Sequence, residues 1–182
     1  MELAMMLGDG FEPLEALAPT DALRRGGVKV TLVSVMPTRE MTAAHGISVK
    51  ADALIGDVDL MAFDAICIPG GEDGVANLKA CAELARILPA FIADSERLVA
   101  SICAGPTLLN ELGLLEGRTA TCYPSCEEGF PEGTYPGQGV YEDGNLITAS
   151  GPGYALAFGL QMLRHLAGDA VAERVAADML VA

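Results

Sequence analysis

Residues 98–115 read LVASICAGPTLLNELGLL. The first five are apolar or small, as in a strand buried on both faces. The last ten carry apolar residues at helical spacing behind Pro106, a residue suited to the first position of a helix. Between them stands Cys103, followed by the small residues Ala104 and Gly105. Strand, nucleophile, small residue, glycine, helix is the order of a nucleophile elbow, in which a sharp turn lifts the reactive side chain above a sheet. The same spacing also fits a small core cysteine before an ordinary loop, because cysteine is often buried for packing alone. Spacing leaves both readings of Cys103 open.

The surrounding chain repeats the strand-then-helix order. Leu3–Leu7 is a short apolar run closed by Gly8-Asp9-Gly10. FEPLEALAPTDALRRGG follows, with Pro13 at a helix start, Glu12 and Glu15 near the positive first turn, Arg24 and Arg25 in the last, and Gly26-Gly27 as the stop. Pro19 within it predicts a kink. VKVTLVSV (28–35) and DAICIPGG (64–71) read as further buried strands. MTAAHGISVKAD (41–52) reads as a short hairpin arm around Gly46, and VYEDGNLITAS holds the hairpin signal Asp143-Gly144. Residues 75–95 predict a helix broken near Pro89, RTATCYP (118–124) a strand, and residues 151–182 two closing helices. Alternating strands and helices predict a mostly parallel central sheet with helices on both faces. With 182 residues and no linker or repeat, the expectation is one domain over 1–182. Ligands in such folds bind beyond the carboxyl ends of the strands, where Gly8–Phe11, Pro69–Gly71 and Cys103–Gly105 should share one rim.

Composition excludes several functions. Eleven Lys and Arg against 25 Asp and Glu leave a net charge of −14, unsuited to nucleic acid or anionic membrane. No apolar run approaches the ~20 residues of a membrane span. MELAMMLGDGFE lacks the basic start of a secretory signal. Five cysteines form an odd, unpatterned set, which fits a reducing cytoplasm better than a disulfide framework. Cys122 and Cys126 are spaced C-x3-C, but with no second pair and two histidines no zinc site is expected.

At the rim, the N–H groups of Gly71 and Ala104 are placed to hold a developing oxyanion. The helix after Cys103 should favour its thiolate. Glu15 falls one turn into a helix that starts at this rim, among Leu14, Ala16 and Leu17. A carboxyl in apolar surroundings stays protonated to higher pH and is suited to move a proton. As an alternative, Glu15 simply complements the helix dipole. His165, in LQMLRHLAG, reads as a residue of a terminal helix turn, and His45 as a residue of the hairpin loop.

These residues carry a resemblance. GDGFEPLEALAPTDALRRGGVKV, IPGGEDGVANL, SICAGPTLL, TCYP and ITASGPGYALAFGL occur in the order found in the ThiJ/PfpI superfamily, and the chain resembles its DJ-one-like branch, that of the Parkinson-disease-associated protein deglycase and its bacterial relatives. The resemblance implies a flavodoxin-like three-layer α/β sandwich, a homodimer, and no cofactor or metal. It implies Cys103 as an oxidation-prone nucleophile, Glu15 as the protonated carboxyl bonded to it, and Gly70 and Gly71 on the oxyanion side. Gly151, Pro152 and Gly153 would form the opposite wall, with Glu12 as a pocket-adjacent acid. Protease-like members carry His after the nucleophile, where this chain has Ala104. Amidotransferases need a downstream His-x-Glu, absent after Cys103. Isonitrile-hydratase-like members show Cys-Thr-Gly, here Cys-Ala-Gly.

Three positions depart from the pattern: Tyr123 stands for a pocket histidine, and His45 and Ser150 stand where relatives carry arginine. The arginine losses argue against acidic substrates. The expected function is a cysteine-dependent enzyme acting on a small reactive aldehyde or a glycated amine, glyoxalase III-like or deglycase-like. The alternatives are an oxidative-stress sensor or redox-regulated chaperone working through Cys103, and a small-molecule amide or isonitrile hydrolase.

Overall fold

The computed structural model describes residues 1–181. Its centre is a seven-stranded sheet in the order β5-β2-β1-β6-β7-β9-β8. The strands are β1 (Glu2–Leu7), β2 (Lys29–Ser34), β5 (Ala53–Leu54), β6 (Ala65–Ile68), β7 (Leu98–Ile102), β8 (Val140–Asp143) and β9 (Leu146–Ala149). All neighbours run parallel except β8, which returns antiparallel along β9 with Asp143 opposite Leu146. A separate antiparallel hairpin, β3 (Glu40–Thr42) with β4 (Ser48–Lys50), forms the expected arm. This is the flavodoxin-like α/β architecture that the sequence predicts.

The period-two rule of a strand explains the three layers. In β1, Leu3, Met5 and Leu7 point to one face and Ala4 and Met6 to the other, all buried. The first face packs against α1 (Pro13–Arg25), α5 (Ala155–Ala167) and α6 (Asp169–Asp178) through Leu23, Phe158, Leu163 and Val175. The second packs against α2 (Glu72–Lys79), α3 (Ala82–Ala93) and α4 (Pro106–Glu111) through Leu78, Leu88, Phe91 and Leu109. Burial on both sides is why β6 and β7 lack polar alternation.

Two expectations are corrected. Residues 118–124 form no strand. β9 is already flanked by β7 and β8, so neither side of β9 is free for them. Thr121 bonds to side chains and loop instead: its N–H donates to Thr148 Oγ1 at 2.9 Å and its hydroxyl to the Gly137 carbonyl at 2.6 Å. The helix of residues 75–95 is two helices that part at Ala80–Cys81, with Pro89 inside α3. The extended backbone of Cys81 lets Leu78 and Leu84 reach the same apolar layer. α1 spans Pro13 to Arg25 with Pro19 inside it.

Candidate active site

β7 ends at Ile102, and Cys103 takes φ 64°, a left-handed conformation that strains a residue with a Cβ. Two bonds hold it there. Its N–H donates to the Ala149 carbonyl and its carbonyl accepts from the Tyr123 N–H, both at 2.9 Å. Gly105 makes the turn possible. A Cβ there would lie 2.5 Å from Ser101 Oγ and 2.7 Å from the Ile68 carbonyl oxygen. This is the geometry of a nucleophile elbow.

Glu15 reaches the same point from α1. Glu12 caps that helix, its Oε2 accepting from the Glu15 N–H at 2.9 Å. Glu15 is 0% exposed, and its Oε2 accepts from the Gly70 N–H at 2.8 Å. Its Oε1 is buried without a hydrogen-bond partner. Gly70 is the spacer between the two groups. A Cβ on it would fall 2.5 Å from Glu15 Oε2, 2.6 Å from Cys103 Cβ and 3.0 Å from Cys103 Sγ, so only glycine lets carboxyl and thiol approach across it.

The electrostatics follow from this burial. Loss of water raises the Glu15 carboxyl to about 7, against the hydrogen bonds with Cys103 and the Gly70 N–H, while the Glu12 charge adds to the rise. The Cys103 thiol is pushed up to about 12, first by burial and then by the Glu15 charge and its hydrogen bond to that carboxylate; the N–H groups of Ala104 and Gly71 pull the other way. The expected dipole-favoured thiolate is therefore corrected. α4 is six residues long, and burial beside a carboxylate outweighs it. The two negative charges oppose each other, so the pair is suited to hold one proton. When Glu15 takes that proton, its charge no longer opposes the thiolate, and the two N–H groups remain to stabilise sulfur.

Cys103 opens into a cavity of about 450 Å³. Of the expected residues, Glu12, His45, Gly71, Ala104 and Tyr123 line it. Glu15 and Gly70 sit behind this wall as its support. His45 arrives on the hairpin arm, which is tied to its own chain's first rim loop by Gly10 N–H to the Thr42 carbonyl and Ala44 N–H to the Phe11 carbonyl, both 2.8 Å. It completes this chain's cavity instead of remaining a plain surface loop. Pro152 and Gly153, expected as the opposite wall, line a neighbouring hollow of about 260 Å³, and Tyr123 borders both spaces. Ser150 also lines that second hollow, where its hydroxyl accepts from the Gly139 N–H at 2.8 Å and meets Thr121 Oγ1 at 3.0 Å. His165 lies elsewhere, its Nδ1 2.8 Å from Glu142 Oε1.

Three lining residues were missed from sequence: Ala44, beside His45 on the hairpin arm, and two that bear chemistry, Glu72 and Cys126. Glu72 opens α2 directly after Gly71, within the stretch IPGGEDGVANL. Cys126 showed only as half of a C-x3-C spacing. Among the described residues, no cluster of three or more His, Cys, Asp or Glu side chains is arranged to hold a metal ion, and no helix is long and apolar enough to cross a membrane.

The model of the DJ-1/PfpI family matches residues 1–165. The chain is similar to Protein DJ-1 homolog A of Arabidopsis thaliana, 38% identical over 178 residues; these are 96% of this chain and 45% of that relative, so the chain spans less than half its length. It is also similar to the Glutathione-independent glyoxalase DJR-1.2 of Caenorhabditis elegans, 32% identical over 168 residues, 91% of this chain and 88% of that one. A third relative, the Putative cysteine protease YraA of Bacillus subtilis, is 31% identical over 167 residues, 91% and 98% of the two chains. Among solved structures, oxidized Toxoplasma gondii DJ-1 matches with a TM-score of 0.95 and 33% identity, covering 100% of this chain and 98% of that one.

Proposed function

The chain belongs to the DJ-1/PfpI family, and on that premise we propose that it is a cysteine-dependent enzyme that converts small reactive 2-oxoaldehydes to 2-hydroxy acids without a cofactor. The observation that carries this reading is the approach of Glu15 and Cys103 across Gly70 at the floor of an open cavity. The family includes relatives named for enzymatic activity, one of them a glutathione-independent glyoxalase.

The steps follow from the groups in place. Cys103 sulfur adds to the aldehyde carbon, and its proton passes through Glu15 to the carbonyl oxygen, giving a hemithioacetal. The N–H groups of Gly71 and Ala104 are suited to hold the oxyanion that forms on the way. Glu15, with its pKa near neutral, then takes the proton from the former aldehyde carbon and returns it to the neighbouring carbonyl carbon, while the hemithioacetal hydroxyl gives up its proton and the neighbouring carbonyl oxygen gains one. The product is a thioester of a 2-hydroxy acid. Water cleaves it, releasing the acid and restoring the thiol. One water is consumed, and no external oxidant or reductant is required.

Charge narrows the substrate class. Glu12 and Glu72 stand at the cavity, with His45 as its one basic side chain among the described residues. Such a site disfavours carboxylate and phosphate substrates and accepts neutral carbonyls, or amines already modified by them. The same thiol addition to a glycated amine, followed by release of the amine, would give the deglycase-like outcome. Peptide hydrolysis is the weaker reading. Ala104 follows the nucleophile, and among the described residues neither histidine is hydrogen-bonded to Cys103: His45 shares its cavity and His165 pairs with Glu142.

The test is consumption of methylglyoxal and glyoxal in a non-amine buffer, with the 2-hydroxy acid quantified, for wild type, Cys103→Ser and Glu15→Gln. Product from wild type that disappears in both variants supports the reading. Product formed equally by either variant, or none above buffer with wild type, overturns it.

A further inference from the structure

We propose that Cys126 is a resolving thiol for Cys103: after a peroxide oxidises Cys103 to a sulfenic acid, Cys126 condenses with it to a disulfide that closes the carbonyl site reversibly. The proposal rests on the reading that Cys103 is reactive, and it adds a second, redox-regulated state to the same cavity.

Three observations carry it. First, of the five cysteines, Cys103 and Cys126 are the two that line the cavity; Cys67 and Cys122 are fully buried, and Cys81 lies at the junction of α2 and α3. Secondly, the backbone links the two thiols by a short path. The Tyr123 N–H donates to the Cys103 carbonyl at 2.9 Å, and the Cys126 N–H donates back to the Tyr123 carbonyl at 2.9 Å. Thirdly, Cys126 sits in the irregular stretch between α4 and β8 that forms no strand pairing, beside Ser125 at φ 75°. A disulfide needs its Cα atoms about 4.4–6.8 Å apart. A turn without ladder bonds can close to that distance with no hydrogen bond of the sheet broken.

The chemistry balances. Cys103 sulfur attacks the outer oxygen of a hydroperoxide, the O–O bond breaks, and the peroxide leaves as an alcohol or water after taking the thiol's proton by way of Glu15. Sulfur is oxidised and peroxide reduced. Cys126 sulfur then attacks the sulfenic sulfur. The S–S bond forms, the S–O bond breaks, and the hydroxyl leaves as water with the Cys126 proton. A small dithiol reverses the state by thiol–disulfide exchange. Without Cys126, the sulfenic acid stays open to a second peroxide and proceeds to the sulfinic acid, which a dithiol does not reduce.

The experiment treats the full chain with hydrogen peroxide, alkylates the remaining thiols, and maps the products by peptide mass spectrometry. Wild type, Cys126→Ser and Cys122→Ser are compared, with Cys126→Ala as the second variant should serine disturb the loop, and circular dichroism as the check on folding. The expected result is a Cys103–Cys126 linked peptide in wild type and Cys122→Ser that dithiothreitol removes, and several-fold more Cys103 sulfinic acid in both Cys126 variants. Equal sulfinic acid with and without Cys126, or a linked peptide joining Cys122 to Cys126, overturns the resolving role while leaving Cys103 reactive. If Cys103 takes up neither oxygen nor the alkylating reagent in any variant, the reading of Cys103 as nucleophile falls with it.

Discussion

Replacing Glu15 by glutamine removes a carboxyl that is 0% exposed and that burial raises from its ordinary 4.5 to about 7. Glutamine keeps the length and an oxygen to accept from the Gly70 N–H, so the variant isolates the charge. Between pH 4.5 and 7 the folded protein holds a proton on Glu15 that the unfolded chain has released. The folded state binds more protons there, so stability falls as pH rises. The contribution is complete below pH 4.5 and lost once the pH has passed 7. The gap corresponds to about 3 kcal/mol at 1.36 kcal/mol for each pH unit. Urea unfolding of wild type and Glu15→Gln, run in parallel from below pH 4.5 to above pH 7, measures it. The subtraction cancels the carboxylates that both proteins share. The wild type should lose about 3 kcal/mol relative to the variant across that window. A flat difference, or one that grows in the wild type's favour with pH, would refute a buried carboxyl that resists ionisation. The same variant also removes a charge that raises Cys103, so its thiolate absorbance should develop at lower pH than in wild type.

Gly70→Ala places a methyl 2.5 Å from Glu15 Oε2 and 2.6 Å from Cys103 Cβ, so unfolding should show a loss of about 1–3 kcal/mol together with loss of carbonyl turnover. Cys103→Gly should be more stable than Cys103→Ala by about 1–2 kcal/mol, because φ 64° strains alanine and not glycine; equal midpoints in denaturant would show that the elbow is unstrained. The homodimer implied by the resemblance should scatter light as twice the 18.8 kDa chain, and a mass at the single-chain value would remove it.

The acidic lining changes what the departures at His45 and Ser150 mean. The resemblance implies arginine at both positions, and each side chain has a definite place here. His45, at φ 63°, turns the hairpin arm onto the rim and borders the cavity. Ser150 ties residues 121 and 139 together behind the neighbouring hollow. Glu12 and Glu72 give the cavity an acidic lining, with His45 as its one basic side chain among the described residues.

The sequence determined the layers, because strand and helix periodicities are local. Leu3–Leu7 and Ala65–Ile68 are apolar on every residue and cannot be half-exposed, and Gly-bearing strand ends mark where the rim must be. It also placed Cys103 at a turn before a helix, since Ala104, Gly105 and Pro106 leave the chain few other conformations. Tertiary structure alone decided the rest. That residues 118–124 lie off the sheet depends on β8 returning to occupy the edge of β9. That Glu72 and Cys126 share a cavity with Cys103 depends on three loops meeting across the rim. The thiol's rise to about 12 instead of the expected fall comes from desolvation and from Glu15, 88 positions earlier in the chain. A helix dipole is written in local sequence, whereas the loss of water and the approach of a second charge exist only once the chain has folded.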